Sequence, residues 1–225
     1  MFGENLKQAM RDYQYLLNRN YPQKSSLKLV GDKYQLSGEE RSILYRGISD
    51  AESALFRKQK LTHIFKGRKI YIDVYNILFT LANYLNGRPV FISTDGFLRD
   101  AGELRGRFSQ KKLLEQTLAM ICNFILASRE KEYKLFLDQP VSNSGTLSER
   151  INIFFKCNRI TGNAETCDSP DYRIINEAGK EDVVCTSDSV IIERVNTMIY
   201  DLSLNILQSH FKPNFPDLSE FIEKS

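Results

Sequence analysis

Short apolar runs alternate with helical stretches from residue 69 onward, and this alternation restricts the chain to few folds. Such an alternation is typical of βαβ units, in which parallel strands form a sheet that helices cover. Strands are expected at residues 69–73, 89–94, 133–137 and 182–186. Residues 195–211 fit either a single helix or a strand followed by a helix. The sequence therefore predicts an α/β domain over residues 61–225, with three α/β/α layers and a mostly parallel central sheet.

The first 60 residues carry helical spacing. Apolar side chains recur every three or four positions over residues 5–18, and a second short helix is expected over residues 25–30, ended by Gly31. Ser37 and Glu40 have the spacing of a capping box, which begins a third helix. We therefore expect a small all-helical domain over residues 1–60.

Two further helix starts are signalled within the α/β part. Thr146 and Glu149 repeat the capping-box form. Ser169 is a candidate N-cap, with Pro170 at the first helical position. These signals predict one helix after the third strand and another before the fourth.

The positive and negative charges are unevenly distributed along the chain. Residues 1–69 hold 14 Lys and Arg against 7 Asp and Glu, a net charge of +7, whereas the remainder holds 17 against 21, a net charge of −4. This asymmetry fits one surface that binds a polyanion beside another that binds cations, although two solvated faces are the simpler explanation. The basic connector over residues 57–69 has the same two explanations, phosphate contact or a solvated linker.

Hydropathy and cysteine spacing exclude several classes of protein. No run approaches about 18 consecutive apolar residues, and charges throughout the N-terminal segment argue against a secretion signal. The four cysteines are far apart without a CxxC pair, and only His63 and His210 supply imidazole, so a structural zinc site is not expected. A cytoplasmic protein with reduced thiols and no membrane partner is the expectation.

Aspartates occur at or just beyond the end of each predicted strand. They are Asp73, Asp95, Asp138 and Asp188. Asp168 and Asp171 flank the helix start at Ser169 and can reach the same region. Since the carboxyl ends of parallel strands share one edge of the sheet, we expect these carboxylates to gather where ligands bind in such folds.

Carboxylates gathered in one crevice repel one another, and bound divalent cations remove that repulsion. Oxygen ligands suit Mg²⁺ or Mn²⁺. An Asp after a strand is also a common turn former or helix N-cap. Four such residues in one predicted sheet favour metal binding over that alternative, with Asp95 as one candidate ligand.

Three motifs resemble those of a known superfamily. The segment IYIDVYNIL, with Asp73 and Asn76, resembles the opening of NYN-type members of the PIN-like nuclease superfamily, although Val74 stands where those proteins usually have Gly. The segment SPDYRIINEA resembles their acidic helix start, and VVCTSDSVII their closing Thr-Ser-Asp element. The N-terminal segments RDYQYLLNRNYP and LSGEERSILYRG resemble an uncharacterised family of microbial proteins in which a small helical domain of unknown function precedes a PIN-like domain.

This resemblance implies a PIN-like fold and a metal-dependent endoribonuclease that uses Mg²⁺ or Mn²⁺. The residues that the resemblance implies for catalysis and metal binding are Asp73, Asp138, Asp171 and Asp188. Asn76 matches the Asn that follows the first acid and orients a ligand or contacts phosphate, and Ser187 matches the small hydroxyl before the last acid.

Basic residues near Asp95 are candidates for RNA binding. They are Arg99, Arg105, Arg107, Lys111 and Lys112. The nearby aromatic residues Phe97 and Phe108, together with Tyr75, can stack on bases if exposed, but core positions are the favoured interpretation.

Other activities compete with the nuclease hypothesis. The chain has no GxxxxGK[ST] motif, which excludes a P-loop, and Tyr75 stands where haloacid-dehalogenase-like phosphatases have their second acid. A non-catalytic nucleic-acid-binding or partner-binding module that keeps the fold is the main alternative. A small-molecule nucleotide phosphohydrolase, with a closed pocket, is another. Association into a homo-oligomer is left open.

Overall fold

The computed structural model describes residues 2–102, 111–128, 130–141 and 143–222. Its helices are α1 (Glu4–Leu17), α2 (Gln23–Lys33), α3 (Gly38–Gly47), α4 (Ala51–Lys58), α5 (Val74–Leu85), α6 (Lys111–Ser128), α7 (Ser144–Asn158), α8 (Pro170–Glu177), α9 (Ser189–Arg194) and α10 (Leu202–Phe211), followed by a 3-10 turn at Leu218–Phe221. Its strands are β1 (Leu61–Thr62), β2 (Ile70–Asp73), β3 (Val90–Ile92), β4 (Leu98–Asp100), β5 (Tyr133–Asp138), β6 (Gly162–Cys167), β7 (Val183–Cys185) and β8 (Met198–Tyr200).

Within the described residues, six strands form a parallel sheet in the order β1-β8-β7-β2-β5-β6. Alternate residues of β2 face opposite layers: Ile70 and Ile72 pack with α5, α6, α7 and α10, whereas Tyr71 packs with α8 and α9. Because both faces are covered, β2 is apolar along its length apart from its last residue. The predicted α/β class, with a parallel sheet between helical layers and a helical N-terminal region, is confirmed.

The strand expected at residues 89–94 lies outside this sheet. β3 pairs antiparallel with β4, with Val90 opposite Asp100, in a separate two-stranded sheet. The chain reverses at Gly96, whose φ of +83° suits glycine. This hairpin makes the expectation of four strands in a single parallel sheet wrong for this segment.

Two helix boundaries also differ from the expectation. α2 continues through Gly31 to Lys33. Gly31 does not end the helix; it is buried against the Arg41 guanidinium, where a side chain would clash, and this packing explains the glycine. α7 begins at Ser144, after Asn143, so Thr146 lies inside the helix instead of capping it. The Ser37–Glu40 capping box and the Ser169 N-cap are both present.

Two strands have no clear sequence signal. β1 has only two residues, and β6 is a half-exposed edge strand whose sequence, GNAETC, is largely polar. At Gly162, the first residue of β6, a Cβ would lie 2.3 Å from the Tyr133 carbonyl oxygen. The stretch left open in the sequence consists of β8 followed by α10.

The helical unit, α1 to α4, packs onto the β3–β4 hairpin. Its apolar cluster includes Met10, Tyr13 and Leu44, and it extends to Phe91 of β3 and to Leu218 near the C-terminus. This packing brings the end of α3 next to the carboxyl edge of the main sheet, where Arg46 joins the site described below. None of the helices in the described residues is long and apolar enough to cross a membrane.

Candidate functional site

Four neighbouring strands carry aspartates to one edge of the main sheet. Asp188 follows β7, Asp73 ends β2, Asp138 ends β5 and Asp171 follows β6. In the main sheet, β5 and β6, which follow β2 in the chain, lie on one side of β2. The strand that follows β7 in the chain, β8, lies on the opposite side of β7. The strand order therefore reverses between β7 and β2. Ligands bind at such a reversal in open parallel sheets. All four aspartates line one cleft of about 260 Å³.

Asp73 ends β2 and caps α5 at the centre of this group. Its Oδ1 accepts a hydrogen bond from the Asn76 amide at 3.4 Å, and its Oδ2 accepts one from the Thr186 hydroxyl at 3.1 Å. The side chain is buried, with the residue only 5% exposed. Both carboxylate oxygens are therefore held in place, one by the first turn of α5 and the other by the residue that follows β7.

The surroundings of Asp73 disfavour its charged form. Burial raises the pKa of this carboxyl to about 8, and the charges of Asp188, Asp171 and Asp138 act in the same direction, against the hydrogen bond from Thr186. Among the described residues, the charged neighbours that shift this pKa are all acidic, and none is a cation. Such an arrangement favours a bound cation, because a cation stabilises the charged form of each carboxylate.

Asp188 begins α9 as its N-cap. Its Oδ1 accepts hydrogen bonds from the amides of Val190 at 2.7 Å and Ile191 at 3.3 Å. Its own amide donates to the Thr186 hydroxyl at 3.0 Å, and the same hydroxyl donates to Asp73. Both capping bonds end on Oδ1, which leaves Oδ2 for a ligand in the cleft.

Asn76 and Ser187 contact each other. The Asn76 Oδ1 accepts hydrogen bonds from the Ser187 amide at 2.8 Å and from its hydroxyl at 3.0 Å. These bonds join the first turn of α5 to the end of β7, and so they fix the relative positions of Asp73 and Asp188. Asn76 lines the cleft, whereas Ser187 is buried and does not line it.

Asp138 and Asp171 complete the acidic wall. Burial raises the pKa of both carboxyls, and for Asp171 the charges of Asp188 and Asp138 raise it further. The four carboxylates thus interact electrostatically as one group.

The donor set fits a hard divalent cation. Within the described residues no three acidic, His or Cys side chains meet as a ready metal-binding group, so the four carboxylates line the cleft without converging on one point. Mg²⁺ commonly keeps several waters and takes only one or two carboxylates from the protein. Asp73 and Asp188 are the pair that adjacent strands place at the reversal of strand order, and oxygen-only donors of this kind suit Mg²⁺ or Mn²⁺.

A second part of the cleft wall comes from α3, α5 and the end of β4. Arg46, Asn83, Asp100 and Gly102 line it. The Asp100 Oδ2 accepts hydrogen bonds from the Thr80 hydroxyl at 3.0 Å and from Arg46 Nη2 at 3.4 Å, and its Oδ1 accepts one from the Gly102 amide at 2.7 Å. The helical unit therefore contributes a guanidinium to a cleft whose acids all come from the α/β part.

Asp95 does not join the cleft. The β3–β4 hairpin carries it under the helical unit, where Asp95 Oδ2 lies 2.8 Å from Arg99 Nη2 and 3.0 Å from Arg57 Nη1. Burial raises the pKa of Asp95, but its contacts with Arg99, Ser93 and Arg57 outweigh burial and hold the pKa below its usual value. The expectation that Asp95 binds metal does not hold, because two arginines already neutralise it.

Arg99 is also placed differently from the expectation. It is buried, and its Nε donates to the Ser187 carbonyl at 3.0 Å while Nη1 donates to the Arg46 carbonyl at 3.1 Å. Arg99 therefore supports the backbone beside the cleft instead of presenting a charge to RNA. Lys112 is exposed near the start of α6. Arg105, Arg107 and the side chain of Lys111 lie outside the described residues, so their role stays a prediction.

The aromatic residues and Val74 occupy distinct environments. Phe97 and Val74 are fully buried, and neither lines the cleft. Tyr75 does line it, and its ring stacks on Phe79 with centroids 5.7 Å apart. Phe108 lies outside the described residues.

Arg46 and Asn83 were not expected from the sequence. A signal for Asn83 exists: it follows Asn76 by seven residues, so both lie on one face of a largely apolar helix. Arg46 has no comparable signal, because only the packing of the helical unit on the β3–β4 hairpin brings it to Asp100 and the cleft.

Comparison with known proteins assigns the chain to a family. Residues 62–204 match the family described as Domain of unknown function (DUF5616), and residues 5–60 match Protein of unknown function (DUF434). The chain belongs to the DUF5616 family. An uncharacterized protein of Methanocaldococcus jannaschii is 30% identical over 194 residues, which cover 85% of this chain and 91% of that protein. No solved structure matches the chain. The resemblance to PIN-like nucleases stays a hypothesis.

Proposed function

We propose that this protein is a divalent-metal-dependent phosphodiesterase that hydrolyses RNA. The observation that carries the proposal is the set of four aspartates that follow adjacent parallel strands and line one cleft at the reversal of strand order. The resemblance of the surrounding motifs to NYN-type nucleases supports the same activity.

Asp73 and Asp188 hold the cation in this proposal, and Asp138 and Asp171 hold a second cation or its waters. The chemistry that such cations supply is a coordinated water of lowered pKa and neutralisation of charge on the scissile phosphate. Thr186 and Asn76 keep the first two carboxylates in position through the hydrogen bonds described above. The described residues that line the cleft include no Cys, His or Lys, which agrees with water as the nucleophile.

Calorimetric titration of Mn²⁺ tests the site. Wild type should bind, and Asp73→Asn and Asp188→Asn should each weaken binding by about tenfold or more, because a charged oxygen ligand is lost. Asp50→Asn is the matched control: Asp50 is the N-cap of α4, outside the cleft, and Asn caps helices equally well.

Cleavage of a mixed-sequence single-stranded RNA then tests the activity. Mn²⁺-dependent cleavage by wild type and by Asp50→Asn, with loss in both cleft variants, is the expected result. RNA binding without metal binding would support the alternative, a non-catalytic module that keeps the fold. The observation that favours this alternative is that no three acidic side chains of the described residues meet at one point.

A further inference from the structure

The second part of the cleft wall, from α3, α5 and the end of β4, contains two hydrogen-bond donors that have no acceptor among the described residues. Asn83 is 1% exposed, and its side-chain nitrogen is buried without a hydrogen-bond partner in the described part of the chain. A buried amide without a partner destabilises a fold by about 1–3 kcal/mol. Asn83 lines the cleft near the end of α5, so a ligand in the cleft can provide the missing acceptor.

Arg46 lies in the same wall and is only partly used. Its Nη2 contacts Asp100 at the long distance of 3.4 Å, and its Nε is buried without a partner among the described residues. Asp100 already accepts shorter bonds from Thr80 and Gly102. Asp100 thus orients the guanidinium without satisfying it, which leaves donors for an anion.

We propose that Arg46 and Asn83 form a binding subsite for a phosphate group of the substrate strand, next to the carboxylate cluster. A guanidinium recognises phosphate through parallel N–H bonds, and an amide adds a neutral donor. In this proposal, the role of the helical unit is to supply the arginine, which holds the phosphate next to the scissile one.

This inference rests on the proposed function, because cations must first offset the acidic wall. Five carboxylates line the cleft, against the single guanidinium of Arg46 among the described lining residues. An anion is repelled from such a cleft until divalent cations bind. The subsite is therefore expected to act only in the metal-loaded protein.

The test measures binding of adenosine 3′,5′-bisphosphate and of adenosine 5′-monophosphate to the Mg²⁺-loaded protein by calorimetry. Neither ligand contains an internucleotide bond, so binding is measured without turnover. Wild type should prefer the bisphosphate by about tenfold to a hundredfold, the typical effect of charge-assisted hydrogen bonds. Arg46→Gln should abolish that preference without weakening Mg²⁺ binding, because it removes a positive charge from the cleft and no carboxylate.

Two further variants separate binding from folding. Arg41→Gln is the matched control. Arg41 lies on the same helix as Arg46, but it pairs with Asp32, outside the cleft that the other carboxylates line. Asn83→Leu removes the unpartnered amide, so it should weaken bisphosphate binding while raising the midpoint of thermal unfolding. A purely structural Asn83 would show the opposite, a lower midpoint with unchanged affinity, and its part in the subsite would be overturned.

The outcomes distinguish the subsite from the activity. If wild type binds Mg²⁺ but Arg46→Gln keeps the bisphosphate preference, or if wild type has no such preference, the phosphate subsite is wrong and the proposed function stands. If wild type binds no Mg²⁺, the proposed function fails and the subsite fails with it.

Discussion

Replacing Asp73 by Asn should stabilise the metal-free protein at alkaline pH. The Asp73 carboxyl is buried, and its pKa is about 8 in the folded protein against an ordinary value of 3.8. Between these two values the folded protein holds a proton that the unfolded chain has released, so the free energy of unfolding falls as pH rises. The stabilisation that comes from keeping the Asp73 carboxyl protonated is fully present below the lower pKa, and it is lost once the pH exceeds the higher pKa.

The size of the effect follows from the width of this window. Each pKa unit corresponds to about 1.4 kcal/mol, so the whole shift is worth about 6 kcal/mol at about pH 9 and almost nothing at about pH 4. Asn has a similar shape and carries no charge at any pH. Its single side-chain oxygen caps α5 equally well, and its side-chain nitrogen donates to the Thr186 hydroxyl, which donates to Asp73 in wild type. The difference between the two proteins therefore isolates the cost of ionising Asp73.

Urea unfolding followed by circular dichroism, in chelator and at closely spaced pH values, measures the difference. The stability advantage of Asp73→Asn should grow steadily with pH, and Mn²⁺ should reduce it by stabilising wild type alone. An advantage that does not change between about pH 4 and about pH 9 would refute the argument that an uncompensated carboxylate is buried at this site.

Two predictions concern the scaffold around the site. Asp95→Asn leaves Arg99 buried without its counter-charge and leaves Arg57 paired with Glu193 alone, and it should lower the free energy of unfolding by about 3–5 kcal/mol in urea titrations; a loss below about 1 kcal/mol would mean that Asp95 and Arg99 are not coupled. Gly162→Ala should destabilise by about 1–3 kcal/mol in the same assay, because its Cβ would meet the Tyr133 carbonyl oxygen at 2.3 Å; an unchanged midpoint would contradict the tight pairing of β5 with β6.

Most of the acidic wall could be predicted from the sequence. Asp73, Asp138 and Asp188 follow apolar strand-like runs, and parallel strands share their carboxyl edge, so no long-range information was needed to group them. Asp171 was found through the local signal of Ser169 and Pro170 at a helix start. These predictions depend on local periodicity and on a general rule of sheet topology.

Asp95 shows where this reasoning fails. It also follows an apolar run, but its strand turns back at Gly96 and pairs with β4 instead of entering the main sheet. A short strand has the same local pattern in either sheet, so the choice depends on which partner strand and which counter-charges lie nearby. For Asp95 these are Arg99, four residues away, and Arg57, from the helical unit.

The sequence by itself determined the class of fold, the order of helices and strands apart from α4, α9, β1, β4, β6 and β8, and the acids at the strand ends, because side-chain periodicity and helix caps act over a few residues. Only the tertiary structure decided which strands pair, that Asp95 and Arg99 are buried together, and that Arg46 and Asn83 line the acidic cleft. The physical reason is that these contacts join residues distant in the chain, such as Arg46 and Asp100, whose meeting depends on how the helical unit packs on the β3–β4 hairpin.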